Sequence, residues 1–135
     1  MSTSPLGWII TPFRRVTDWR GRSRSAEYWW FMLLWVLAVV AGAVEAGVSP
    51  GDTARPFDSP ILLLATIILL PPHLGVSIRR LHDQNLSGWY FLVSLIPFAG
   101  PLMMLWWMTR PGTAGDNRFG PDPLPPAYNP TKYYG

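Results

Sequence analysis

The chain has 135 residues, of which 49% are apolar and 14% charged, with a net charge of +3, eight Trp and no Cys. The absence of Cys excludes structural disulfides and thiol-based metal or redox chemistry. A pI of 9.7 resting on so small a net charge argues against a nucleic-acid-binding surface.

Distribution decides the class. Every Asp, Glu, Lys and Arg lies outside three apolar stretches, residues 28–44, 61–78 and 89–108. A helix needs about 20 residues to cross a hydrocarbon layer of about 30 Å. The stretches are apolar nearly all round, whereas the core helix of a soluble domain keeps a polar face. The expected fold is therefore all-α and integral to a membrane, with three apolar helical segments spanning about 28–48, 60–78 and 88–109.

Residues 1–27 lack the basic start followed at once by an apolar run that marks a cleavable signal. Leu6, Ile9, Ile10, Phe13 and Val16 recur at spacings of three and four, with Arg14, Arg15 and Asp18 on other faces. This suggests a short helix lying in the headgroup plane and interrupted near Pro12, with a disordered leader as the equal alternative. Five Arg precede the first span, while residues 45–59 hold one Arg against Glu45, Asp52 and Asp58. The positive-inside rule then puts the N-terminus in the cytoplasm and that loop outside.

In the first span, Ala38, Gly42 and Ala46 repeat every four residues beside Ala43 and Gly47. Such a row lets another helix approach closely, and its partner is left open between span two, span three and a second copy. Trp29, Trp30, Trp89, Trp106 and Trp107 stand at span ends, where amphipathic rings anchor in the headgroup layer. In span two, Pro71-Pro72 predicts a kink that frees carbonyls near Ile67 and Ile68, which His73 is placed to satisfy. Span two returns to Arg79-Arg80, which suits a cytoplasmic turn.

The third stretch is broken at Pro97–Pro101. A single crossing puts seven Lys and Arg inside and four outside, whereas a re-entrant pair of half-helices puts ten inside and one outside. Charge favours re-entry; length, and the tolerance of membrane helices for internal proline, favour the crossing that is expected here. Residues 110–135 are rich in Pro and Gly and read as an extended, turn-rich tail.

Three polar segments flank the spans: Gly21-Arg22-Ser23-Arg24-Ser25-Ala26-Glu27-Tyr28-Trp29-Trp30, then Arg79-Arg80-Leu81-His82-Asp83 leading to Ser87-Gly88-Trp89, then Pro111-Gly112-Thr113 leading to Asn117-Arg118-Phe119-Gly120. In this order around apolar stretches they resemble the family of small bacterial membrane proteins called domain of unknown function 805 (DUF805), over about residues 8–123. Leu86 stands where that family often carries Arg, and the Pro-rich end after Pro123 is particular to this chain. The resemblance implies a multi-pass protein of the bacterial inner (plasma) membrane and implies no activity.

Arg22, Arg24, Arg79 and Arg80 would share one headgroup level, where each basic residue gains about 1 kcal/mol from anionic lipid. Glu27 and Asp83 are placed to pair with them as clasps at the helix ends. With His82, Asn117 and Arg118 these residues form the expected site for lipid or partner binding. Adjacent His82 and Asp83 also fit a proton-transfer pair, but two residues are too few for a metal site. The segment 113–120 has glycines suited to cradling an anion, yet lacks the Lys and following helix of a P-loop. No catalytic residue, metal or cofactor is assigned.

The expected function is a non-enzymatic, membrane-organising or partner-binding protein. Its partners would be the bilayer, anionic headgroups and a membrane protein or second copy, with no nucleic acid. The alternatives are a subunit of an oligomeric transporter or channel, and a membrane enzyme using His82 and Asp83.

Overall fold

A computed structural model describes residues 4–47 and 59–124; the middle of the expected outer loop and the last eleven residues of the tail lie outside the described residues. Among the described residues the chain is helical, with no strand beyond an isolated bridge between Asn117 and Gly120. The elements are α1 (Pro5–Arg14), α2 (Ser25–Glu45), α3 (Pro60–Asp83), a 3-10 helix (Gly88–Leu95) and α4 (Ala99–Thr109). Of these, α2 and α3 are long and apolar enough to cross a membrane.

Ser4 starts α1 by accepting a hydrogen bond from the Gly7 N–H at 3.2 Å, and Pro5 occupies the first turn, where no N–H is needed. The expected interruption at Pro12 does not occur. The helix runs on to Arg14 with the Pro12 ring buried, and Phe13 meets Phe31 of α2 edge-on at 5.5 Å. Thus α1 packs onto α2 while Leu6 and Ile10 stay exposed.

Helix α2 buries Tyr28, Phe31 and Gly42 and leaves Leu33, Val36, Leu37, Val40 and Val44 exposed. An apolar face this continuous suits contact with hydrocarbon and is costly in water. The small-residue row finds its partner in α3: a Cβ at Gly42 would overlap the Leu62 side chain, so the two backbones come close only because residue 42 has none. At this end Ser59 caps α3, accepting from the Leu62 N–H at 3.3 Å and donating to the Glu45 carboxylate. Helix α3 continues through Pro71-Pro72. His73 makes no bond to the carbonyls of the preceding turn; its ring lies among those of Trp35, Tyr28 and Phe31, with centroids at 5.2, 6.1 and 6.4 Å.

The third stretch does not form one helix. Pro97 holds Ile96 extended at ψ 117°, which ends the 3-10 helix, and Phe98 turns the chain at φ +62° and ψ -55°, a γ-turn closed by the Ala99 N–H donating to the Pro97 carbonyl at 2.7 Å, which a bulky residue seldom adopts. Pro101 falls in the first turn of α4, where its missing N–H leaves no helix bond unmade. Gly100 then packs against the Val93 carbonyl, a site where a Cβ would overlap, and Tyr90 meets Trp107 edge-on at 5.4 Å. Both ends return to the foot of α3, where Gln84 donates to the Trp107 carbonyl and Arg80 to that of Arg110. In place of the expected single passage with a proline kink, residues 88–109 form a hairpin. Trp107 changes role with it: it is buried in the core with Tyr28, Phe31, Leu69, Val76, Leu81, Met104 and Met108, whereas Trp29, Trp30, Trp89 and Trp106 are exposed.

Candidate functional site

At the charged end of α3, three arginines are removed from solvent: Arg79, Arg80 and Arg22 are 0%, 1% and 4% exposed. Burying a guanidinium is strongly unfavourable unless its charge and its N–H donors are matched. The local sequence supplies the matches from three distant segments.

Arg22 uses each nitrogen of its head. Nε donates to Asp83 Oδ1 at 2.9 Å, while Nη1 and Nη2 donate to the carbonyls of Gly115 and Thr113, both at 2.5 Å. Arg80 donates to the other Asp83 oxygen and to the Arg110 carbonyl, so one carboxylate holds two arginines. Arg79 pairs with Glu27 at 3.2 Å through Nη2 and, through Nη1, donates to the carbonyls of Arg15 and Asp18, closing the C-terminal end of α1. Beside that end, the Arg15 guanidinium holds the Asp18 carboxyl below its ordinary value of 3.8.

The Pro-Gly-Thr loop closes over this pair of clasps. Thr113 donates from its N–H and its hydroxyl to the Asp83 carbonyl at 2.8 and 2.9 Å. Gly112 lies flat against the Asp83 carboxylate, where a Cβ would collide with it. Asn117 donates to the His82 carbonyl and to the Thr113 hydroxyl, both at 2.9 Å, and its own side-chain oxygen accepts the Phe119 N–H. Phe119 stacks on the His82 ring with centroids 3.9 Å apart and planes within 3°. The Arg118 guanidinium covers the Phe119 ring at 4.7 Å and donates to the Asn85 carbonyl.

His82 Nδ1 lies 3.2 Å from the Gly21 carbonyl, and because that oxygen only accepts, Nδ1 carries the hydrogen. The imidazole thus binds the N-terminal segment while the Asp83 carboxylate binds Arg22 and Arg80. The two neighbours face different partners and do not act as a pair. Among the described residues, no three His, Asp or Glu side chains converge on a common point that would hold a metal ion.

The structure gathers Arg22, Glu27, Arg79, Arg80, His82, Asp83, Asn117 and Arg118 into one interlocked cap. Arg24 stands beside it on the wall of a cavity of about 470 Å³. Sequence reading missed Gly112, Thr113 and Phe119 as structural partners of Asp83 and His82. Their signal was present in the Pro-Gly-Thr and Asn-Arg-Phe-Gly motifs and in the charge count that favoured re-entry, but neither says which residues at the foot of α3 they meet.

A family model described as "Protein of unknown function (DUF805)" matches residues 16–121. The chain is 34% identical over 119 residues to "Inner membrane protein YhaH" of Escherichia coli strain K12, covering 87% of this chain and 97% of that one. It is 35% identical over 118 residues to "Inner membrane protein YhaI" of the same strain, covering 87% and 96%. No solved structure matches it.

Proposed function

Because the chain belongs to the DUF805 family, we propose that it is a multi-pass inner-membrane protein that organises lipid headgroups or docks a partner through a pre-built cytoplasmic cap, without catalysis. The inner membrane follows the names of YhaH and YhaI. In this reading α2 and α3 cross, residues 88–109 re-enter, and the N-terminus, the foot of α3 and the Pro-Gly-Thr loop share the cytoplasmic face. That arrangement keeps ten of the eleven Lys and Arg on one side.

The observation that carries the proposal is the use the three polar motifs make of one another. Their buried charges are spent on internal clasps, which makes the cap a rigid platform rather than an open reactive centre. Arg14, Arg20 and Arg118 are exposed, as are Trp89 and Trp19, the chain neighbour of Arg20, and these groups make up the outward-facing side of this region. Basic groups beside interfacial tryptophans are the chemistry that meets anionic headgroups or an acidic partner surface. The enzyme reading loses support because His82 and Asp83 point to separate partners. The transport reading loses support because His73 sits among aromatic rings.

Topology is tested by placing single cysteines at Ser2, Thr53 or Ala114 and labelling intact cells with an impermeant maleimide. Labelling at position 53 alone is expected; labelling at 114 as well would rule out re-entry. The surface role is tested by changing Arg14, Arg20 and Arg118 together to Gln, and undiminished binding to anionic vesicles and to any co-purifying partner would refute it.

A further inference from the structure

The cavity beside the cap has features that the clasps do not explain. It is lined by Arg24, Arg80 and Arg110, with Asp83 as the acidic member of its wall, and is an open cleft of about 470 Å³. The first turn of α2 opens into it through Ser25 and Ala26. Arg24 is the N-cap residue of that 21-residue helix, and no side chain caps the helix. The leading N–H groups of a helix have no partner within it and carry the positive end of its dipole. Glu27, the acidic residue of the first turn, is committed to Arg79.

A second observation is independent of the helix end. Arg80 is 1% exposed and its Nε–H is buried with no acceptor among the described residues. Arg79 Nε shares that condition but does not line the cavity. Asp83 offsets only part of this charge: its one carboxylate is shared by Arg22 and Arg80, so the group formed with Arg24 and Arg110 stays net positive. The cavity therefore combines three guanidiniums, an unmatched buried donor and an uncapped helix start around a volume of roughly fifteen waters. A phosphate anion satisfies such donors, and the volume leaves room for an ester substituent.

We propose that this cavity is a phosphate-binding site, filled by the phosphodiester of an anionic lipid headgroup or by free phosphate, with Arg24, Arg80 and Arg110 as its cationic ligands and the start of α2 as its backbone donor. The proposal rests on the headgroup-organising reading and gives it a definite pocket. Arg110 lies over the exposed Trp106 ring at 4.6 Å, so this wall stands beside an aromatic anchor of the kind found at headgroup depth.

The full-length protein is titrated with inorganic phosphate in neutral detergent. In parallel it is placed in nanodiscs of phosphatidylcholine with or without phosphatidylglycerol. Thermal unfolding and native mass spectrometry of retained lipid are the readouts. Retained phosphatidylglycerol identifies the headgroup as the source; stabilisation by phosphate without retained lipid identifies the free anion, and either supports the site. Arg24 and Arg110 are not buried, so the double change R24Q/R110Q leaves the fold intact and should weaken binding on the order of tenfold. Ala26→Glu, which puts a carboxylate in the first turn of α2, should block the site without destabilising the helix.

Absence of both stabilisation and retained lipid, or wild-type binding by both variants, overturns the proposal. If both variants bind normally while the triple change at Arg14, Arg20 and Arg118 abolishes vesicle binding, the pocket fails and the surface reading stands. If no variant alters vesicle binding, both fail.

Discussion

Arg22 and Asp83 are 61 residues apart in sequence and 2.9 Å apart in space, with side chains only 1% and 5% exposed. The contact joins the segment before α2 to the end of α3. Because Asp83 also holds Arg80, its loss would strand two buried cations. Asp83→Asn is expected to destabilise the protein by about 3–5 kcal/mol, the cost of breaking a buried pair from one side. Reversible unfolding in bilayer-like micelles measures it, and a loss under about 1 kcal/mol would mean the clasp is solvated.

Gly112 and Gly115 separate two reasons for glycine in one loop. Gly112 is pressed against the Asp83 carboxylate, whereas Gly115 has open space around it and a φ of +75°. Gly115→Ala should cost about 1–2 kcal/mol of backbone strain. Gly112→Ala should cost more, because it must push the carboxylate off its arginines, and equal effects in thermal unfolding would contradict the close approach.

Phe119→Leu removes the ring stacked on His82 while keeping an apolar side chain. The expected loss is about 0.5–1.5 kcal/mol beyond any change in burial. The His82 ring protons should also lose their ring-current shift in the NMR spectrum. An unchanged shift would show that the two rings are not stacked in solution.

The hairpin over residues 88–109 predicts a distance. Spin labels at Asn85 and Thr109, both exposed, would stand about 36 Å apart on one continuous helix. The fold-back should bring them to well under that value in nanodiscs, as read by double electron–electron resonance.

Asp18 supplies a pH test. Its carboxyl is held below 3.8 in the folded protein by Arg15, so its contribution to stability is present above 3.8 and lost as pH falls through the depressed folded value. The stability difference between the parent and Asp18→Asn should be steady at neutral pH and vanish in acid below 3.8. The effect is small, because the side chain is half exposed.

The sequence by itself determined what depends on local composition. Uncharged stretches of membrane-spanning length mark α2 and α3, the arginines cluster around them, and the ordered polar motifs identify the family. Even the pairing of Glu27 and Asp83 with arginines was legible, since carboxylates beside buried cations have few alternatives. Tertiary structure alone decided which arginine each takes, that Gly42 meets Leu62, and that His82 turns from Asp83 toward Gly21 and Phe119. It also decided that the third stretch folds back, where length had favoured a passage. Periodicity reports which face of a helix is apolar, but Arg22 meets Thr113 and Gly115 across more than 90 residues. Such a contact depends on how the helices pack, which no short window of sequence encodes.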